Sequence, residues 1–237
     1  MSEAVLLSVQ DLHAFYGKSH VLQGVNFHLE KGEILALLGR NGAGRSTTLK
    51  AIVGQARAQG CVQFKGEAIL GLASFEIARK GIAYVPEGRD VFAGLSVEQN
   101  LELGRKTNSS FDTNWQLEEM YTLFPHLLAR RNTKAGVLSG GEQQMLSLAR
   151  SLMGNPELFL VDEPTEGLAP QAVAAIAVFL KQLKARGVAV LLVEQKLQLS
   201  LTVADRVLVM GQGRVVFEGY CAELKNNLQV RQTYLEV

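Results

Sequence analysis

The chain is poor in the features that would tie it to several common functions. Across 237 residues it holds two cysteines, Cys61 and Cys221, far apart and in no metal-binding spacing. That argues against a disulfide framework and fits a reducing cytosol. The histidines (His13, His20, His28, His126) form no ligand pair at helical spacing, which argues against a metal held by imidazole. A formal net charge of +1 gives no case for nucleic acid as a partner, which calls for a concentrated basic surface. The longest apolar run, 172–180, falls far short of the ~20 residues a membrane helix needs. Met1-Ser2-Glu3-Ala4 lacks the basic start and cleavage site of a secretory signal. A cytosolic chain is expected, free to dock onto something that is not cytosolic.

What is present is the composition of a globular protein, 47% hydrophobic and 20% charged, and long enough for one large domain or a core with a subdomain. The stretch that organises it is Gly39-Arg40-Asn41-Gly42-Ala43-Gly44-Arg45-Ser46-Thr47. An apolar run, Ile34-Leu35-Ala36-Leu37-Leu38, precedes it, and the helix-like Thr48-Leu49-Lys50-Ala51-Ile52-Val53 follows. Strand, glycine loop and helix together form the context in which backbone N–H groups and a helix N-terminus converge on phosphate. Ser46 sits where a hydroxyl would ligate Mg²⁺ between β- and γ-phosphates. The usual lysine is replaced by Arg45, which keeps the charge but substitutes a planar five-donor fork for a compact ammonium. The plain alternative is a glycine-rich turn with no ligand.

Residues 4–30 alternate apolar and polar in short runs about a turn at Tyr16-Gly17-Lys18, which predicts antiparallel strands. Short strands are expected at 61–64 and 82–85, with a brief helix at 75–80 between them. From about 96 to 128 the pattern is mainly helical, with Ser96 as a cap, a polar break at 106–113 and a second helical run at 115–124. Leu138-Ser139-Gly140-Gly141-Glu142 then opens a strong helix running to about 153. Ser139 and Glu142 have capping-box spacing, so an ordinary capped helix is one reading. The Gly140-Gly141 pair favours a second, in which an anion approaches the backbone closely.

Leu158-Phe159-Leu160-Val161 reads as a strand buried on both faces of a parallel sheet, with Asp162 and Glu163 emerging at its carboxyl end. Two adjacent acids repel unless they share a cation or a proton. With a phosphate loop on the same sheet edge, Asp162 as a Mg²⁺ ligand and Glu163 as general base are expected in preference to a plain polar strand exit. A helix at 171–184, an apolar strand at 188–193, a hairpin about Gly211-Gln212-Gly213 and a helix-like tail from 222 complete the chain.

Together these stretches resemble the ATP-binding subunits of ABC transporters over essentially the whole chain. The glycine loop resembles their Walker A, 138–144 their signature motif and 158–163 their Walker B, in the family's order and spacing. The resemblance implies an α/β fold: a P-loop NTPase core, mainly parallel sheet flanked by helices, with an N-terminal antiparallel β-subdomain. It also implies one ABC ATPase domain, 1–237, with a helical insert at about 90–153. Tyr16 then looks like the adenine-stacking aromatic, Glu87 takes the Q-loop position, Gln195 that of the switch histidine, and Glu166-Gly167-Leu168 the D-loop. Glu163 and Gln195 are the implied catalytic pair. ATP and Mg²⁺ are the implied cofactors.

The stretches Val85-Pro86-Glu87-Gly88-Arg89 and Leu192-Val193-Glu194-Gln195 look like the ATPases of branched-chain amino acid importers, closest to the LivF-type subunit. On this resemblance, the extra regulatory domain of many sugar importers is not expected. Implied partners are a second ABC ATPase subunit, transmembrane permease subunits and, indirectly, a periplasmic or extracellular substrate-binding protein. The implied location is the inner face of the cell membrane. A urea or short-chain amide importer is the nearest alternative in substrate. The nearest alternative in role is a subunit that closes on ATP but hydrolyses it slowly, suggested by Arg45.

Overall fold

The computed structural model describes residues 5–105, 115–195 and 197–235. The polar break read at 106–113 lies outside them, as do the N-terminal residues 1–4. In chain order the elements are β1 (Val5–Tyr16), β2 (Ser19–Glu30), β3 (Ile34–Gly39), α1 (Arg45–Ile52), β4 (Arg57–Phe64), β5 (Glu67–Ala68), α2 (Ser74–Arg79) and β6 (Ile82–Val85). After these come α3 (Val97–Leu103), α4 (Leu117–Leu123), α5 (Pro125–Ala129), α6 (Gly140–Leu152), β7 (Leu158–Asp162), α7 (Pro170–Ala185) and β8 (Ala189–Glu194). The chain finishes with α8 (Leu197–Val203), β9 (Arg206–Gly211), β10 (Arg214–Tyr220), α9 (Cys221–Asn226) and α10 (Leu228–Tyr234).

Two sheets carry the fold. The larger runs β10-β9-β3-β8-β7-β6, parallel throughout except where β10 folds back on β9. The smaller, β2-β1-β4-β5, is antiparallel. β3, β7 and β8 are buried at every position, which is why they read as unbroken apolar runs: both faces are covered. Successive side chains go to opposite faces, so Leu35, Leu37, Leu158, Leu160, Leu191 and Val193 join the core under the antiparallel sheet. Phe159, Val161, Val190 and Leu192 instead meet the helices, with Leu146, Phe179 and Trp115. At about 1.5–3 kcal/mol per fully buried large apolar side chain, these two layers dominate the energetics.

Between β6 and β7 the described residues form α3, α4, α5 and α6, with no strand longer than an isolated bridge between Ser96 and Lys134. Ser96 caps α3 through its hydroxyl as expected, accepting from the Gln99 N–H at 3.1 Å. The helix read from Trp115 begins instead at Leu117. Trp115 is held outside it because its N–H donates to the Asn155 side chain at 2.6 Å, while its ring packs under the Arg186 guanidinium. The strand read at 61–64 extends back to Arg57, since β1 offers it partners as far as Phe15. α8 was not anticipated.

Strand pairing also joins two histidines that no helical spacing would link. His13 Nδ1 and His20 Nε2 lie 2.9 Å apart across the β1–β2 hairpin, with Asp11 on the far side of His13. Among the described residues, no group of three or more His, Cys, Asp or Glu could hold a metal ion. Nor is any described helix long and apolar enough to cross a membrane. At the far end of the large sheet, α10 lies against β9. The Tyr234 ring takes the space a Cβ on Gly211 would need, and Arg40 donates to the Gln232 carbonyl at 3.3 Å.

Candidate functional site

The loop from β3 to α1 is shaped by glycine. Gly44 takes φ +104°, a left-handed value that side chains resist, and a Cβ there would lie 2.7 Å from Leu22 Cδ2. Because Gly44 has no side chain to cap α1 and no acid stands in the first turn, the helix presents its positive end uncompensated. This is a receptive geometry for an anion. Asn41 and Gly42 are exposed on the loop, whereas Ala43, Gly44 and Arg45 are buried.

The second wall comes from β7. Asp162 ends that strand, and Glu163 turns away from it with φ +44°, its N–H donating to the Val193 carbonyl at 2.9 Å. Ser46 Oγ donates to Asp162 Oδ1 at 2.9 Å, and Tyr84 Oη to Oδ2 at 3.3 Å. Burial pushes the Asp162 carboxyl above its ordinary range, and these two hydrogen bonds oppose the shift. A hydroxyl and a carboxylate side by side, both oxygen ligands, are the donor set Mg²⁺ takes up with phosphate and water oxygens.

Arg45 spans the two walls. Its Nη2 donates to Glu163 Oε1 at 2.6 Å and to Asn41 Oδ1 at 3.1 Å. The ion pair is nearly dry: Arg45 is 4% exposed and Glu163 11%. Nη1 of Arg45 is buried with no hydrogen-bond partner. Burial raises the Glu163 pKa and the guanidinium opposes it. Glu87 is raised chiefly by sharing a hydrogen bond with Glu166, then by burial.

Asn41, Gly42, Gly44, Arg45, Ser46 and Thr47 face Glu87, Glu163 and Glu166 across a cavity of about 260 Å³. Asp162 reaches it through Ser46. Other expected site residues lie elsewhere. Gly39 backs the loop, where a Cβ would sit 2.7 Å from the Met210 carbonyl. Arg40 and Ala43 line a separate cavity of about 600 Å³ against β10 and α10. Tyr16 is exposed at the end of β1, and Gln195 is exposed just beyond β8.

Ser139, Gly140 and Gly141 do not line the glycine-loop cavity. The Ser139 hydroxyl accepts from the Glu142 N–H at 3.3 Å, and Glu142 accepts from the Ser139 N–H at 2.8 Å, the capping box its spacing implied. Within the subunit, Gly140 has a further reason to be glycine: the Arg89 guanidinium occupies the position a Cβ would take, 2.2 Å from Nη1. That arginine was not singled out from sequence.

Glu194 was also missed. It is 2% exposed at the end of β8 and accepts from the Thr165 hydroxyl at 2.8 Å. Burial lifts its pKa to about 7. The sequence signal for it is its place as the first polar residue after a wholly apolar strand.

Comparison with known proteins agrees with this geometry. The ABC transporter family model matches residues 22–166. The chain is 44% identical over 231 residues to the high-affinity branched-chain amino acid transport ATP-binding protein BraG of Pseudomonas aeruginosa, covering 97% of this chain and 99% of that protein. It is 37% identical to the probable branched-chain amino acid transport ATP-binding protein LivF of Archaeoglobus fulgidus, covering 92% and 94%. Among solved structures, a nucleotide-free ATP-binding cassette from an ABC transporter superposes with a TM-score of 0.82 at 29% identity, covering 95% of this chain and 96% of that one. With the glycine loop, Asp162 buried at the end of β7 and the sheet order all in place, the chain belongs to the ABC transporter family, as one of its ATP-binding subunits.

Proposed function

We propose that this chain is the ATP-binding subunit of an importer of branched-chain amino acids, coupling ATP binding and hydrolysis in a subunit dimer to uptake. The cargo is inferred from the likeness to the branched-chain amino acid transport proteins BraG and LivF, because no residue of such a subunit touches it. In this reading residues 1–237 form one ABC ATPase domain whose insert, about 90–153, receives the transmembrane permease subunits. The protein sits on the cytoplasmic face of the cell membrane, and a substrate-binding protein delivers cargo from the other side.

The observation that carries the reading is the Ser46–Asp162 contact, 2.9 Å, beside a buried guanidinium with an unused donor. Mg²⁺, when bound with ATP, would supply charge neutralisation between the β- and γ-phosphates. Ser46 and Asp162 would hold it. The backbone of 39–47 encloses the phosphates, and Tyr16 stacks on the adenine. Glu163 orients and polarises the attacking water as general base, with Glu87 adding a carboxylate near the metal. Gln195 donates to the terminal phosphate but, unlike histidine, gains no proton near neutral pH, so acid–base duty rests on Glu163. Ser139, Gly140 and Gly141 of a second subunit complete the site when the dimer closes, a two-state element biased by ligand.

The test is direct. Purified protein should bind Mg-ATP, and permease subunits should co-purify with it and support leucine uptake in vesicles. No affinity for Mg-ATP, alone or in the assembled complex, would overturn the reading. Uptake of urea or short-chain amides in place of leucine would replace the cargo and keep the chemistry. A second role, a subunit that binds ATP but turns it over slowly beside a more active partner ATPase, is favoured by the Arg45–Glu163 ion pair.

A further inference from the structure

The substitution of arginine for the family's lysine puts a fork where a point charge would otherwise stand. In this chain the two arms of that fork are used unequally. Nη2 holds Glu163 at 2.6 Å and Asn41 at 3.1 Å, which fixes the guanidinium plane from both walls of the cavity. Nη1 is buried and has no hydrogen-bond partner, on a side chain only 4% exposed that lines the phosphate-loop cavity. An unpaired buried donor is costly to keep, and it is tolerated where a ligand is to take it. Phosphate is the anion this loop is built for, and guanidinium donors match its oxygens.

We propose that Arg45 is a positioning residue that restrains Glu163: one arm of its guanidinium holds the carboxylate while the other takes a phosphate oxygen, so nucleotide binds without releasing the base. The inference rests on the nucleotide-binding reading above and deepens it. Glu163, with one oxygen occupied by Nη2, is poorly placed to accept a proton from water. Turnover is held down while binding is preserved. A lysine could not do both, because its single ammonium cannot present two coplanar donors to groups on opposite walls. Asn41 is part of the device, since its side-chain oxygen shares Nη2 and keeps the fork from swinging towards the phosphate with both arms.

The experiment is a double-mutant cycle on the full chain, with Arg45→Lys, Glu163→Gln and both together, read by thermal unfolding with and without saturating ADP. ATPase is measured separately in the assembled complex. The proposal expects the double variant's shift in Tm to differ by at least about 3 °C from the sum of the single shifts, in free and in ADP-saturated protein alike. It also expects Arg45→Lys to raise kcat by about tenfold or more while ADP affinity changes less than about threefold, a split that a merely structural arginine would not give. Coupling that vanishes when ADP binds would mean that phosphate strips Arg45 from Glu163, and would overturn the proposal. So would additive shifts in the free protein, or a kcat that does not rise. If the unmutated protein bound neither ADP nor ATP, the nucleotide reading would fall and take this inference with it. Normal nucleotide binding without coupling would fell the inference alone.

Discussion

The Thr165 hydroxyl donates to the Glu194 carboxyl at 2.8 Å, joining the turn after β7 to the last residue of β8. Both side chains are nearly inaccessible, at 4% and 2% exposure. The bond therefore acts as an internal tie between the two strand ends that deliver Glu163 and Gln195. Thr165→Val should leave a buried carboxyl without its donor and cost about 1–3 kcal/mol, measured by urea unfolding at neutral pH. A loss below a few tenths of a kcal/mol would show that the tie is not stabilising.

The same carboxyl makes the fold pH-sensitive. Burial raises the Glu194 pKa from its ordinary 4.5 to about 7 in the folded chain. A raised carboxyl favours the folded state while protonated, so its contribution is complete below the ordinary pKa and is lost as pH rises through about 7. Glu194→Gln should escape that loss. Between pH 5 and 8 the variant should gain on the parent by on the order of 3 kcal/mol at most, followed by denaturant unfolding across the range. A constant difference between the two proteins would refute the assignment.

Ser46→Ala removes the hydroxyl that donates to Asp162. If Ser46 helps hold Mg²⁺, nucleotide affinity should fall roughly tenfold with Mg²⁺ present and change little in EDTA. Isothermal titration under both conditions separates a metal ligand from a general prop of the loop. Equal losses in both would argue for the prop.

Gly140→Ala places a methyl 2.2 Å from Arg89 Nη1. The obstruction is the tip of a long, exposed side chain that can swing aside, so folding should suffer by less than about 1 kcal/mol. ATPase of the assembled complex should nevertheless fall by about 10²-fold, because the methyl would keep a partner subunit's phosphate off the helix N-terminus. Variants that unfold, or that keep full turnover, would sink this view of the glycine.

Much of the fold is legible because its central strands are apolar on both faces. β3, β7 and β8 announce themselves as unbroken hydrophobic runs, and the groups at their ends, Gly39 to Ser46 and Asp162-Glu163, follow from where such sheets bind ligands. The start of α4 was misjudged because a tertiary contact, Asn155 on the Trp115 N–H, overrides the local pattern. Arg89 against Gly140, Arg45 on Glu163 and His13 beside His20 were not readable either. Each depends on side-chain reach across residues far apart in the chain or on opposite strands, and neither spacing nor propensity encodes that.

The packing of Tyr234 on Gly211, with Arg40 reaching the Gln232 carbonyl, has a practical side. A hydrogen bond thus ties the last described helix to Arg40, the second residue of the glycine loop. A small fluorophore installed near Gln232 would make that helix a listening post for events at the loop, and a bulky affinity tag in the same place would disturb what it was meant to purify.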